Sequence, residues 1–256
     1  MSFGKICFVK MFLAILVVSN VFASSNNIEF VGSFDVAEPQ DVACDGQGNF
    51  YVVSATGSAV AISPQGALRF ELGKENGAGI LKRAAGVASS GSVVYVSDTI
   101  LDAVLMFSGE GDYLGKFGGP GSGYGEFNNP LGLYAHADTL YVADSDNGRI
   151  QIFGRNGVFI GYIGFKGQGE NRLKRPVDLV VDNEGVAYVL DEGDSNVKKF
   201  SAEGHFLGTV SQVARPTKIS YDGSSIYLSD AVNNLMHIIK RDTNQTMSFG
   251  LSGLVS

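Results

Sequence analysis

The sequence predicts an all-β protein, a β-propeller whose blades are four-stranded antiparallel sheets. The first observation is a repeat, because a similar unit begins five times at spacings of 45, 46, 46 and 40 residues, near Pro39, Ala84, Pro130, Pro176 and Pro216. The second is that each unit holds four short apolar or alternating runs between turn residues, and the third is that no helical period follows residue 23. Four strands in each period indicate propeller blades around a channel, with a solenoid as the alternative.

The unit that spans residues 129–164 shows the pattern most clearly. Its runs are LGLYA (131–135), LYVAD (140–144), IQIFG (150–154) and FIGYIG (159–164), and the turn-rich pieces HAD, SDNGR and RNG separate them. These runs predict a four-stranded antiparallel meander. A single meander is marginally stable because it cannot bury both of its faces, so it needs neighbouring copies of itself.

The other four units supply the same strands in the same order. Their first strands read PQDVACD, AAGVASS, PVDLVVD and PTKISYD, and their second strands read FYVVS, VYVSD, AYVLD and IYLSD. Third strands follow from residues 60, 104, 197 and 236, and fourth strands open on a glycine turn at residues 66, 111 and 204. The fifth unit ends less clearly, in QTMSFG (245–250).

Taken together, the units read P-x-[GD]-φ, φ-Y-V-x-D, N-x-R-I-x-[VI]-F and G-F-x-x-x-[IF]-G, where φ is apolar. This pattern resembles the NHL repeat over roughly residues 28–250. The resemblance implies a propeller, and it favours six blades where the repeats show five. It implies no single function, since NHL-type propellers include RNA binders, protein-interaction platforms, sensor domains and a few lyases or hydrolases. The segment EFVGSF (29–34) reads as a lone fourth strand, so the sequence leaves five-bladed and six-bladed closure open.

Residues 1–23 are predicted to be a secretory signal peptide. Two lysines precede the apolar run MFLAILVV (11–18), and small residues lead to a cleavage site after Ala23. The run is too short to span a membrane comfortably, although an uncleaved anchor is the alternative. We therefore expect residues 24–256 to form one propeller domain that is secreted, periplasmic or at the cell surface.

Charge and cysteine content narrow the classes of partner. The formal net charge is −7, and it becomes −9 when Lys5 and Lys10 leave with the signal peptide. An acidic chain argues against nucleic acid, which attracts clustered Lys and Arg. Cys44 is then the only cysteine, at a first-strand position, so we expect a buried and unreactive thiol.

Several motifs suggest a cofactor but fit the repeat better. GGPGSGYGEF (118–127) has the glycines of a phosphate loop without the strand-to-helix context, and DSDNGR (144–149) lacks the later acidic residues of a calcium loop. We expect the aspartate that ends each later second strand to accept backbone N–H groups of the turn, at Asp98, Asp144, Asp191 and Asp230. The three histidines share no position in the repeat, so we expect no metal site and no cofactor.

A charged set is predicted where the first strands approach the axis. The third residue of these strands reads Asp41, Gly86, Gly132, Asp178 and Lys218 in chain order. Equivalent positions of a ring converge, so we expect Asp41, Asp178 and Lys218 to meet. Propeller lactonases, which the fold resembles, hold calcium at this axis. The residues therefore predict either an ion-paired, water-filled channel or part of a cation site.

A second set is predicted on one rim, where the inter-blade loops end directly before a first strand. The guanidinium fork of arginine suits carboxylate, sulfate or phosphate groups, and lysine adds charge beside it. The candidates for an anionic ligand are Lys82, Arg83, Lys174, Arg175 and Arg215. The alternative is local pairing of the arginines with the strand-two aspartates. Tyr124 and Phe127 are expected to add aromatic surface nearby.

Two functions from different classes fit these observations. The first is an exported, non-catalytic binding or scaffold propeller that presents its rim loops to a protein or an anionic, glycan-like polymer. The second is a metal-dependent enzyme with calcium or zinc in the channel, implied by the resemblance to propeller lactonases and to the amidating lyase of peptide-hormone processing. Asp41 and Asp178 would then be ligands, but the sequence lacks the axial histidines on which the lyase depends. We prefer the binding propeller and assign no catalytic residue.

Overall fold

The computed structural model describes residues 36–250 except 37, 75–78, 168, 213–215, 231, 242 and 244, together with the backbone of residues 5–9 and 16–20. The prediction of EFVGSF as a strand (29–34) and the rim residue Arg215 lie outside the described residues. Five four-stranded sheets follow one another along the chain, and each is a meander in which consecutive strands pair antiparallel. The predicted all-β propeller is therefore confirmed.

The blades use the predicted strands in the predicted order. Blade 1 contains β3 (Pro39–Cys44), β4 (Phe50–Ser54), β5 (Ala59–Ile62) and β6 (Leu68–Leu72). Blade 2 contains β7 (Ala84–Ser90), β8 (Val93–Asp98), β9 (Ala103–Ser108) and β10 (Tyr113–Gly118). Blade 3 contains β11 (Pro130–His136), β12 (Thr139–Asp144), β13 (Arg149–Gly154) and β14 (Phe159–Ile163).

Blades 4 and 5 repeat the arrangement. Blade 4 contains β15 (Pro176–Val181), β16 (Ala187–Asp191), β17 (Asn196–Phe200) and β18 (Phe206–Gln212), and a single 3-10 turn (Glu192–Asp194) joins β16 to β17. Blade 5 contains β19 (Pro216–Tyr221), β20 (Ser225–Asp230), β21 (Leu235–Lys240) and β22 (Thr246–Gly250). The less clear segment QTMSFG thus forms the fourth strand of blade 5.

Four apolar cores hold consecutive blades together. Alternate residues of a strand point to opposite faces of the sheet, so each blade sends one apolar set to each neighbour. Blades 1 and 2 share the core around Tyr51 and Leu105, and blades 2 and 3 share the core around Tyr95 and Phe153. Blades 3 and 4 meet around Phe200, and blades 4 and 5 meet around Ile226. Burying each of these large side chains stabilises the fold by about 1.5–3 kcal/mol.

The first strand of every blade lies on the inside of the arrangement, next to the first strand of the following blade. This order places the third residues of β3, β7, β11, β15 and β19 around one axis. A further hairpin, β1 (Lys5–Val9) paired with β2 (Leu16–Asn20), falls within the predicted signal peptide, and β1 contacts β3 and β19. None of the described helical segments is long and apolar enough to cross a bilayer. Cleavage after Ala23 stays a prediction.

Candidate functional site

The three charged residues predicted at the axis meet there. The ammonium of Lys218 lies 3.0 Å from Oδ1 of Asp41 and 3.9 Å from Oδ2 of Asp178, which brings together strands of blades 1, 4 and 5. Both aspartates are buried, with 9% and 5% of their surface exposed. The group is therefore an ion-paired cluster at the wall of the channel.

Every carboxylate oxygen in this cluster already accepts a bond. Oδ2 of Asp41 accepts the backbone N–H of Val87 in blade 2 at 3.0 Å, and Oδ2 of Asp178 accepts that of Ile219 in blade 5 at 3.1 Å. Oδ1 of Asp178 accepts the N–H of Leu179 at 3.0 Å, and Oδ1 of Asp41 is the oxygen that faces Lys218. Each aspartate thus ties its own blade to the next one.

Hydroxyl groups make the equivalent tie where the first strand carries glycine. Ser97 donates to the carbonyl of Leu131 at 2.6 Å, which joins blade 2 to blade 3, and Ser145 donates to the carbonyl of Pro176 at 2.6 Å, which joins blade 3 to blade 4. A Cβ at Gly86 would collide with the Leu131 carbonyl, so glycine there permits the close approach of the strands. A first strand with Asp at its third position is therefore bonded to the next blade by that carboxylate, and a first strand with Gly there leaves the bond to a serine hydroxyl of the same blade.

Burial dominates the electrostatics of the axial cluster. It raises the pKa of Asp178, Lys218 opposes this effect, and the carboxylate of Asp41 adds to it, so that the pKa ends well above the ordinary range. Burial alone would lower the pKa of Lys218, but Asp178 and Asp41 outweigh it, and the ammonium is held in its charged form. The site therefore contains a fixed cation beside one carboxyl, that of Asp178, that resists ionisation.

The cavity that this cluster lines has a volume of about 230 Å³ and is bordered by the first strands of all five blades. From Asp41, Asp178 and Lys218 it extends past Tyr134 to the other ends of the strands, where Cys44 lies. Burial raises the pKa of Tyr134 to about 12, with Tyr221 and Asp182 adding to the shift. Cys44 is half-buried with a free thiol, less enclosed than the sequence predicted.

The aspartates that end the second strands accept backbone N–H groups. At Asp98 and Asp230 these belong to the following turn, as predicted, and the prediction is wrong for Asp144 and Asp191, whose backbone donors among the described residues lie in the inter-blade loop before their own blade. Asp98 accepts from Ile100 and Leu101 in the turn through Oδ1, and from Lys82 and Arg83 in the preceding loop through Oδ2. The carboxylates of Asp144 and Asp191 likewise accept from the loop residues before β11 and β15, and Asp230 accepts from its own turn. All four are at most 2% exposed, so these bonds are shielded from water.

Around Asp144 a buried polar network extends this anchor. Arg149 donates through Nε at 2.7 Å and Gln151 through Nε2 at 2.9 Å to Oδ2 of the carboxylate, and both also donate to the carbonyl of Glu126. Lys198 takes the place of Gln151 in blade 4 and lies 2.8 Å from Asp191. The N-x-R-I motif therefore holds a loop in place, a role that its spacing alone did not reveal.

The rim candidates divide into paired and unpaired cations. Arg175 pairs with Glu192 and lies 3.9 Å from Asp146, so its charge is largely neutralised locally. The side chain of Arg83 donates to Thr99 at 2.6 Å. The alternative prediction was that the side chains of these arginines pair with the strand-two aspartates. Asp98 and Asp191 do bind Arg83 and Arg175, but through the backbone N–H groups of the arginines and not through their guanidinium groups. Lys82 and Lys174 are exposed, and within the described residues neither side chain has a carboxylate partner.

The two aromatic residues predicted near the rim behave differently. Tyr124 is 69% exposed and its ring stacks against Phe159 and Tyr162 at centroid distances of 5.2 and 5.6 Å. Phe127 is 0% exposed, so its prediction as a surface residue is wrong. It packs between blades against Phe117 and Phe153, because the loop turns inward before it enters β11.

No group of three or more His, Cys, Asp or Glu side chains within the described part of the chain is arranged to hold a metal ion. Asp41 and Asp178 fit a calcium or zinc ion poorly because Lys218 already stands beside both of them. His237 lies in β21 away from the first strands and contacts Ser248 at 2.7 Å.

Comparison with known proteins supports the class of fold. A family model described as DUF5128, 6-bladed beta-propeller, matches residues 130–215. No curated protein sequence matches the chain. The NHL resemblance stays a prediction, and the class that the fold and the match define is the β-propeller.

Solved structures similar to this chain include propellers of different kinds. A chain of a nidogen/laminin complex superposes with a TM-score of 0.74 at 16% identity, covering 91% of this chain and 90% of that one. Virginiamycin B lyase from Staphylococcus aureus superposes with a TM-score of 0.68 at 11% identity, covering 98% and 82%. A streptogramin B lyase structure gives 0.67 at 14% identity, covering 97% and 80%. At these identities the similarity shows the fold alone.

Proposed function

We propose that this protein is an exported, non-catalytic binding propeller that presents its rim loops to carboxylate or sulfate groups on a protein or a glycan. The observation that carries the proposal is that every oxygen of the axial carboxylates already has a bonding partner. All four oxygens of Asp41 and Asp178 face Lys218 or a backbone N–H, and two of those N–H groups belong to the next blade. These side chains serve the ring as inter-blade ties, which leaves little capacity to bind a metal.

The rim carries exposed cations that are available to a ligand, whereas the charged groups at the axis are bonded to one another or to the backbone. Lys82 and Lys174 occupy equivalent positions in the loops before blades 2 and 4, each directly before an arginine, and their backbones are fastened by Asp98 and Asp191. A fastened backbone fixes where these charges stand before a ligand arrives, and this lowers the ordering cost of binding. Arg83 adds a guanidinium that is held by a hydroxyl rather than by a carboxylate. Exposed cations without a close ion-pair partner among the described residues favour an anionic partner at this rim of an acidic protein.

The test compares two double variants that change the charge equally. Lys82→Glu with Lys174→Glu removes the rim cations, and Lys116→Glu with Lys240→Glu makes the same change away from them. The probes are heparin and poly-glutamate, measured by titration at low and moderate salt. We expect the rim variant to lose binding by at least about tenfold while the control stays within about twofold, because local charges dominate over net charge at moderate salt.

The probes separate the two sources of anionic groups. Binding of heparin alone indicates a sulfated glycan, and binding of poly-glutamate alone indicates an acidic protein segment. If neither probe binds the wild-type chain, or if both double variants lose binding equally, the rim is not an anion-binding surface.

A further inference from the structure

The described residues form four cores between five blades, and the side of blade 1 that faces away from blade 2 has a core of its own. This fifth cluster is built around Val52 and Ile62, which are 0% and 5% exposed, and its partly buried members belong to blade 1 except for Val36. No cluster of described residues joins blade 5 to blade 1. A closed ring of five identical contacts would require one.

Blade 5 carries a matching apolar set on its outer side. In β21, Ile239 packs toward blade 4, and its neighbour Ile238 must point the other way because side chains alternate along a strand. Ile238 is 9% exposed and Met236, on the same face, is 4% exposed. Both faces of the space between blades 5 and 1 are therefore apolar and shielded from water, although neither blade shares a core with the other.

The N-terminal hairpin lies beside the first strands of both of these blades. β1 pairs with β2 over five residues and contacts β3 of blade 1 and β19 of blade 5. The family model that matches residues 130–215 describes six blades, one more than the chain repeats. At the axis the ion pair between Lys218 and Asp41 joins blades 5 and 1, whereas no apolar cluster of described residues joins their outer strands; we call the space between those outer strands the wedge.

We propose that this wedge is a docking site for a β-hairpin, that its occupant in the full chain is β1–β2, and that the hairpin acts as a partial sixth blade. Two apolar sheet faces that no shared core joins suit an element that is itself largely apolar. The two strands of this hairpin, KICFV and LVVSN, have largely apolar sequences. The hairpin lies within the predicted signal peptide, so removal of residues 1–23 would empty the wedge and leave a surface for another hairpin.

Amide hydrogen exchange of the full-length chain tests the proposal. Residues 5–9 and 16–20 should exchange at least about tenfold more slowly than an unstructured peptide, because a hairpin seated between two sheets opens only when the wedge opens. Exchange at the unstructured rate in a chain whose five blades are protected would overturn the proposal.

Two neighbouring residues of β21 provide matched variants that remove the same atoms from opposite faces. Ile238→Ala alters the face toward the wedge, and Ile239→Ala alters the face toward blade 4. We expect Ile238→Ala to accelerate exchange of the hairpin by about tenfold relative to blade 3, and Ile239→Ala to accelerate exchange of blades 4 and 5 without that preference. Equal effects of the two variants on the hairpin would show that it does not contact this face.

Discussion

Replacement of Lys218 by methionine should destabilise the propeller, and the loss should grow with pH. The variant keeps the length of the side chain and removes its charge, which leaves Asp41 and Asp178 buried beside each other without a cation. Removing one partner of a buried ion pair costs about 3–5 kcal/mol. Because 24% of the Lys218 side chain is exposed, we expect the lower end of that range, about 3 kcal/mol at pH 8.

The pH dependence follows from the direction of the Asp178 shift. Burial raises the pKa of Asp178, so its carboxyl holds a proton more firmly in the folded than in the unfolded chain. Its contribution to stability is complete below the ordinary carboxyl pKa of about 4 and is lost as the pH rises through the folded-state value. Without Lys218, which lowers the pKa of Asp178, that pKa rises further, so protonation of Asp178 at pH 5 recovers at least about 1 kcal/mol of the loss seen at pH 8.

Urea unfolding of the wild type and the variant at pH 5 and pH 8 measures both effects. Lys116→Met, an exposed lysine on β10, is the control and should change the free energy of unfolding by less than about 0.5 kcal/mol. A Lys218→Met loss below about 1 kcal/mol, or the same loss at both pH values, would refute the electrostatic account of the axial cluster.

Three further predictions concern the ties between blades and the tyrosine in the channel. Asp144→Ala should cost about 3 kcal/mol or more in urea unfolding, because the buried Arg149 loses its carboxylate, and a loss under about 1 kcal/mol would contradict this. Gly86→Ala should cost about 1–3 kcal/mol because its new methyl group meets a backbone carbonyl, whereas Gly161→Ala, which has open space at that position, should be close to neutral; equal thermal midpoints would refute the close approach. Burial raises the pKa of Tyr134 to about 12, so Tyr134→Phe should leave the phenolate absorbance step near pH 10 unchanged in alkaline titration, and a smaller step there would contradict the burial.

The sequence was sufficient to predict the strands because each depends on local alternation and on turn residues. It also predicted that Asp98 and Asp230 would accept backbone N–H groups of the following turn, since an aspartate before a turn can reach them by itself, but it missed that Asp144 and Asp191 bind the preceding loop instead. The meeting of Asp41, Asp178 and Lys218 was predictable as well, because the symmetry of a repeat carries equivalent residues to one axis. For these residues, the position within the repeat determines the position within the propeller.

The contacts that the sequence did not reveal lie between side chains of different repeats or different turns. Arg175 finds Glu192 in the next turn rather than the aspartate beside it, and Phe127 turns into the core between two other phenylalanines. Neither outcome follows from alternation, because both depend on the rotamers of neighbours that are close only after the blades have packed. Ser97 and Ser145, which replace the axial aspartates as ties, carry no sequence signal that separates them from ordinary strand serines.

The fastening of the rim loops before blades 2, 3 and 4 by buried carboxylates has a consequence for how such a protein changes. The bond is made to backbone N–H groups, which every residue except proline possesses, so the carboxylate places no demand on the identity of the loop side chains. A loop can therefore exchange its exposed residues, or lengthen in its middle, while its final residues enter the next blade at the same point. The side chains on the rim can therefore change while the strands of the blades stay the same, and new binding specificity can arise there without a new fold.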